Sequence, residues 1–215
     1  MSGAGARVPE PLGADGFAAA TDVSRETLDR LTAYADLLAA WNRRVNLVGR
    51  STLADLWRRH MLDSAQLLPL IPKSAQTLVD FGSGAGFPGL VLAILGAPDV
   101  HLVESNARKC AFLREAARAA DASVTVHNRR IESGSTVPAD VVTARALAPL
   151  SVLVTYAKPY LRPNSICLFL KGAEVDRELT EIRNISSIRE NLYPSRTDTE
   201  GVIVRLEGVS HEPAG

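Results

Sequence analysis

Residues 77–89 read TLVDFGSGAGFPG, an apolar run ending in Asp80 with Gly82, Gly84 and Gly86 at alternate positions after it. Glycines there remove Cβ atoms, so the backbone can turn tightly and lie close against a ligand. Two cofactor chemistries compete for such a turn. Gly84, Gly86 and Gly89 satisfy G-x-G-x-x-G, the dinucleotide fingerprint. However, the turn already begins at Gly82, and a carboxylate at Asp80 would repel a pyrophosphate in a partly desolvated crevice. S-adenosylmethionine has no phosphate, and a carboxylate favours both its sulfonium and its ammonium. The turn therefore suits the methyl donor better, with a tight turn that binds nothing as the bland alternative. Glu104 ends the next apolar run, where an α/β nucleotide site places the acid that accepts from ribose hydroxyls. It supports a ribose without choosing between the two cofactors.

Basic residues form a second constellation. Arg43, Arg44, Arg50, Arg58 and Arg59 cluster, while Arg108 with Lys109, Arg129 with Arg130, and Arg145 border expected strand ends. Positive charge beside a crevice is what a phosphate-backbone substrate needs, although most charged helix faces are simply solvated. His60, His101, His127 and His211 show no ligand spacing, so no metal is expected.

The elements that must position these groups follow from periodicity. A loose Gly-, Ala- and Pro-rich arm is expected to about residue 16, then a helical region from the cap Ser24 to Gly49, carrying Leu28, Leu31, Ala35 and Leu38 on one stripe. Thr52 and Asp55 have capping-box spacing for a second helix over 52–68, stopped by Pro69 and Pro72. Strands are expected over 77–81, 100–104, 123–127, 140–143 and 166–170, with helices over 87–95, 107–120, 150–160 and 174–185 between them. This alternation predicts an α/β fold, a doubly wound, mostly parallel sheet with helices on both faces. A last strand over 201–207 pairs antiparallel with one near 187–193, and the tail from Gly208 frays. The expected organisation is an arm and helical extension, 1–72, before a core, 73–215.

Composition limits the function classes. With 215 residues, 46% apolar, and zero net charge, the chain fits one globular core and does not attract polyanions as a whole. Cys110 and Cys167 lie far apart and read as reduced thiols. No leader-like or membrane-spanning run is expected, which points to a cytoplasmic protein. No apolar stripe is left over, which points to a monomer.

Taken together, these motifs resemble the bacterial small-subunit (16S) ribosomal RNA guanine-N7 methyltransferases, also called glucose-inhibited division protein B. The resemblance runs from Trp41 to beyond Lys171 through WNRRVNLV, RHMLDS, DFGSGAGFPG, LVES, RRIE, ARA and LKG. The glycine motif alone is common to many methyltransferases; RHMLDS, GFPG and LKG in this order are far more specific. The resemblance implies a Rossmann-like class I methyltransferase core with an N-terminal helical extension and a C-terminal antiparallel hairpin. It implies S-adenosylmethionine contacts at Gly82, Phe87, Glu104, Ile131, Glu132 and Arg145, to which the reading of the turn itself adds Asp80, Gly84 and Gly86. Ile131 and Glu132 would hold the adenine edge, and Arg145 the methionine carboxylate or the acceptor. Arg145 is also the one candidate for a catalytic role. Arg59, His60, Arg130 and Lys171 are the candidates for RNA contact. The implied partner is 16S ribosomal RNA or the small ribosomal subunit, and the implied target is a guanine of the decoding-region stem-loop. Two positions depart from the family pattern: Ala144 stands where Ser is usual, and Leu90-Val91 where Ile-Pro is commoner. Guanine N7 has an in-plane lone pair and no proton, so its methylation needs alignment rather than a base. Other readings are a methyltransferase of this fold acting on a small molecule or protein, a nucleotide-binding oxidoreductase, and a silent RNA-binding module.

Overall fold

The computed structural model describes residues 11–134, 137–183 and 188–209. Its strands are β1 (Thr77–Phe81), β2 (Asp99–Glu104), β3 (Val124–Asn128), β4 (Ala139–Arg145), β5 (Leu161–Lys171), β6 (Arg189–Pro194) and β7 (Val202–Glu207). They form one sheet in the order β3-β2-β1-β4-β5-β7-β6. The first five strands run parallel, and β7 lies antiparallel between β5 and β6. Side chains alternate across a strand, so the apolar runs serve two cores. Leu78, Leu102, Val141 and Leu168 pack on one face, and Val79, Val103, Val142 and Cys167 on the other.

The first face is covered by α1 (Ala14–Thr21), α2 (Arg25–Asn42), α3 (Arg50–Leu53), α4 (Asp63–Ala65), α5 (Gly89–Ile94) and α6 (Ala107–Ala119). The second is covered by α7 (Leu150–Ala157) and α8 (Val175–Ile182). Because β1 and β4 are neighbours and the chain leaves them in opposite directions, a crevice opens at their carboxyl ends. Phe17, Leu31, Tyr34 and Leu38, all before residue 73, share one core with the sheet. Among the described residues, no helix is long and apolar enough to cross a membrane, and Cys110 and Cys167 are free and buried.

Several boundaries differ from expectation, each for a physical reason. The arm is helical from Ala14, because Phe17 is fully buried against the core and tilts over Trp57. The Ser24 cap is as expected, accepting from Thr27 N. Helix α2 stops at Asn42, not near Gly49. The Asn42 amide accepts from Leu47 N and Val48 N and donates to Val48 O, offering the backbone a loop in place of a helix. The helix expected over 52–68 is broken into α3, a π-helical turn at Trp57–Leu62, α4 and a 3-10 turn at Leu68–Leu70. Thr52 donates back to Gly49 O and caps nothing, and Asp55 instead accepts from Leu12 N and Arg58 Nε. Strand β5 begins five residues before the expected 166, across Pro163, where Ser165 Oγ accepts from Arg162 N and donates to Ala139 O. Val209 is buried, so the chain is still packed past Gly208. The arm before residue 11, the end of the helix expected over 174–185, the first residue of the strand expected near 187, and the tail after residue 209 lie outside the described residues.

One contact couples the N-terminal helices to the glycine turn. Tyr34 of α2, fully buried, donates its hydroxyl to the Ala85 carbonyl. Gly86 is glycine for the same reason, since a Cβ there would stand 2.8 Å from Tyr34 Oη, and its φ is +99°. Tyr34→Phe leaves a buried carbonyl unpaired and should lower unfolding free energy by about 1–3 kcal/mol. In urea titration the midpoint should fall at constant slope; an unchanged midpoint would show that the latch carries no load.

Candidate active site

Two cavities open at the carboxyl end of the sheet, one of about 440 Å³ and one of about 570 Å³. The smaller lies over the ends of β1, β2 and β3, lined by Gly82, Glu104, Ile131, Glu132, Arg145 and Tyr156 among others. The larger lies between β4, β5, the π-helical turn and the β6–β7 hairpin, with Arg59, His60, Asp63, Lys171 and Thr197 in its wall. Arg145 and Ala146 line both.

The smaller cavity gathers the residues expected to meet ribose and adenine. Gly82, at φ +61°, presents bare backbone to it, and a Cβ there would stand 2.7 Å from a Leu147 methyl. Glu104 accepts from Gly84 N and Asn106 N, so one carboxylate braces the glycine turn and the first residues before α6. A carboxylate has about four lone-pair sites, which leaves capacity for hydroxyl donors. Glu132 is exposed and accepts from Tyr156 OH, while the Ile131 carbonyl accepts from Tyr160 OH.

Other expected cofactor residues sit behind this wall. Gly84 and Gly86 shape the turn without lining either cavity. Asp80 is fully buried beneath the turn; Oδ1 accepts from Thr143 Oγ1, and Oδ2 meets no hydrogen-bond geometry with any described residue. Burial pushes its pKa up to about 6. Phe87 is buried as a platform, with the Tyr34 ring 5.5 Å away, the His60 ring stacked at 4.8 Å and the Arg145 guanidinium at 4.9 Å.

Arg145 ends β4 and is held by the π-helical turn. Asp63 N–H donates five residues back, to Arg58 O, and the Arg59 carbonyl accepts from Arg145 Nη1. A wider turn has thereby redirected a main-chain acceptor to a side chain. Asp63 Oδ2 takes the same Nη1 at 3.2 Å, and His60 Nδ1 lies 2.7 Å from Nη2. An arginine cannot accept, so His60 Nδ1 does, and the ring proton belongs on Nε2. Burial first, then the Arg145 and Arg59 charges, lower the His60 pKa to about 3.

Among the RNA candidates, Arg59 and Arg130 are exposed, Arg59 in a 3.1 Å ion pair with Asp198 of the hairpin loop. His60 is 8% exposed. Lys171 is paired with Glu178 at 2.7 Å and donates to Ala148 O, with its side chain 11% exposed, so a phosphate would have to compete with both. Among the described residues no cluster could hold a metal ion. Sequence reasoning missed Asp63, Tyr34 and Thr143. Asp63 stood unassigned inside RHMLDS, and Thr143 was a lone hydroxyl following the apolar pair Val141-Val142.

The profile of the rRNA small subunit methyltransferase G family matches residues 27–196. The chain belongs to that family. It is 56% identical over 205 residues, 95% of each chain, to the ribosomal RNA small subunit methyltransferase G of Rhodospirillum centenum. It is 56% identical over 199 residues to that of Paramagnetospirillum magneticum, covering 93% of this chain and 97% of the relative. Among solved structures, the cofactor-bound Rv0187 from MTB superposes with a TM-score of 0.65 at 17% identity, over 93% of this chain and 98% of that one. An rRNA methylase from Streptococcus thermophilus gives 0.52 at 14% identity, over 66% and 92%. These two show the fold alone, a Rossmann-like class I methyltransferase.

The chain is thus an S-adenosylmethionine-dependent rRNA methyltransferase, and the smaller cavity fits that cofactor. Its volume falls in the roughly 300–1,000 Å³ range of small-molecule sites. Bare backbone at Gly82, the Glu104 carboxylate, and the unpartnered Asp80 oxygen below match a cationic nucleoside better than a pyrophosphate.

A cation above the turn favours ionised Asp80. Below about pH 6 the uncomplexed protein holds Asp80 protonated, so binding must release that proton. Affinity for S-adenosylmethionine should therefore fall as pH drops through about 6, by up to about tenfold per unit. Calorimetry between pH 5 and 8 measures it, and Asp80→Asn should flatten the dependence. An equally steep dependence in the variant would remove Asp80 from the account.

Proposed function

We propose that this methyltransferase acts on N7 of a guanine in the decoding-region stem-loop of 16S ribosomal RNA. The observation that carries the proposal is the shared wall. A donor in the smaller cavity and a base in the larger meet at Arg145 and Ala146. When bound, S-adenosylmethionine supplies an electrophilic methyl carbon. Guanine N7 meets it with a lone pair and has no proton to lose. The residues of the larger cavity agree with that chemistry. Its one histidine has a pKa near 3, a poor base. Of its carboxylates, Asp63, Asp198 and Glu178 each carry an arginine or lysine, and Glu174 is exposed to solvent.

The work left to the chain is to align the partners and exclude water. Gly82 admits the donor, Glu104 accepts from its ribose, and Ile131 and Glu132 meet the adenine edge. Asp80, Gly84, Gly86 and Phe87 support them from behind, and Arg145 holds the methionine carboxylate or the acceptor base. N7 lies on the major-groove edge, which A-form pairing makes hard to reach, so the target is looped or splayed out. Exposed Arg59 and Arg130 meet RNA phosphates, joined by exposed Arg43, Arg44 and Arg50. The protein works as a cytoplasmic monomer, on 16S rRNA or the small subunit.

Incubation with methyl-labelled S-adenosylmethionine and small subunits from a deletion strain should label 7-methylguanosine in the decoding region. Label in another nucleoside, or only on protein, would reject the assignment. Arg145→Ala should slow transfer about a hundredfold at saturating rRNA, since alignment is lost from a reaction without a base. Arg130→Ala should leave that rate intact and flatten the salt dependence of rRNA binding by about one counterion. An unchanged salt slope would take Arg130 out of the interface.

A further inference from the structure

His60 carries a feature that packing alone does not explain. Its ring stacks on Phe87 at 26° and is almost fully buried, yet Nε2, which must bear the proton, has no hydrogen-bond partner among the described residues. A buried donor without a partner costs stability. Phenylalanine would stack on Phe87 equally well without that cost. The polar atom that is used is Nδ1, and its donor is Arg145 Nη2 at 2.7 Å.

Arginine has five N–H donors in a rigid plane. Nη1 is engaged by Arg59 O and Asp63 Oδ2, and one Nη2 proton by His60. Nε–H and the second Nη2 proton remain without a protein partner among the described residues, at the junction of the two cavities. Without an acceptor at Nη2 the plane could pivot about its Nη1 contacts. A carboxylate in place of His60 would add a second negative charge to that of Asp63, and a protonated histidine would repel the guanidinium. A neutral ring acceptor does neither.

We propose that His60 is a positioning residue for methyl transfer, its neutral imidazole clamped on Phe87 and fixing the rotation of the Arg145 guanidinium through Nδ1. The inference rests on Arg145 acting at the cavity junction. Its effect belongs in turnover, not in binding of donor or rRNA.

His60→Phe keeps the stack and deletes the acceptor. At saturating donor and rRNA its kcat should fall at least about tenfold, while KM for rRNA and affinity for S-adenosylhomocysteine stay within about twofold. Its melting temperature should not fall, because the orphaned Nε2 is gone. His60→Asn places an amide oxygen near the Nδ1 position and should recover most of the lost kcat while packing less well. In the double variant with Arg145→Ala, His60→Phe should add no further loss, since both changes act through one guanidinium. Parental kcat in His60→Phe, no recovery in His60→Asn, or a further loss in the double variant would each overturn the inference. So would failure of His60→Phe to fold, because the stack on Phe87 supplies the packing and phenylalanine keeps it. Parental kcat in Arg145→Ala alone would instead overturn the role given to Arg145.

Discussion

A guanidinium at the end of a parallel strand needs acceptors that the strand cannot provide, because neighbouring strands end at the same level. Arg145 obtains them from a segment some eighty residues earlier, where one π-helical turn delivers a main-chain carbonyl, a carboxylate and an imidazole within hydrogen-bond reach. The planar fork of arginine meets all three from two nitrogens at a fixed separation, a geometry that a point-charge ammonium does not offer. Much of the molecule around the crevice serves this socket. Asp63 is fixed by Thr197 Oγ1 and Gln66 Nε2, and Gln66 accepts from Arg196 N. The C-terminal hairpin thereby braces the same turn that grips Arg145. Tyr34 and His60 both pack against Phe87, tying α2, the π-helical turn and the glycine turn into one support.

A second bridge holds the loop that leaves Arg145. Glu178 Oε2 accepts from Lys171 Nζ and from Leu150 N, and Lys171 also donates to Ala148 O. The ends of β5, α7 and α8 thus converge on residues 146–150. Ala146, in the wall of both cavities, has φ +49°, a left-handed conformation that a non-glycine residue holds only when its surroundings impose it. The same pairing leaves the larger cavity with no excess of positive charge, since Arg59, Arg145 and Lys171 each face a carboxylate and Glu174 adds a fourth acid to the lining. Attraction for a phosphate backbone must then come from cations on the rim, while the interior is left to shape and hydrogen bonding.

What the sequence determined by itself was most of the strands and helices and the glycine turn at the mouth of the crevice. Alternation of apolar runs places β1 at residues 77–81 and both cores on opposite faces, because burial on a sheet is periodic and local in sequence. Gly82 and Glu104 were legible for a similar reason: a turn at a strand end and an acid at the next strand end are positional rules of the fold. The order of RHMLDS, GFPG and LKG carried the family.

Tertiary structure alone decided how the polar residues pair. Asp80 and Phe87 read as cofactor contacts and stand behind the cavity wall; Lys171 read as an RNA contact and is paired with Glu178. No periodicity announces the π-helical turn, which arises when Arg59 O is worth more to Arg145 than to Asp63 N–H. The Asn42 amide likewise ends α2 through contacts with Leu47 and Val48 that no helix pattern records. Apolar burial needs only the right kind of residue on the right face, and sequence spacing supplies that. A hydrogen bond needs one particular donor within about 3 Å of one particular acceptor, and across a span of eighty residues only the folded backbone sets that distance.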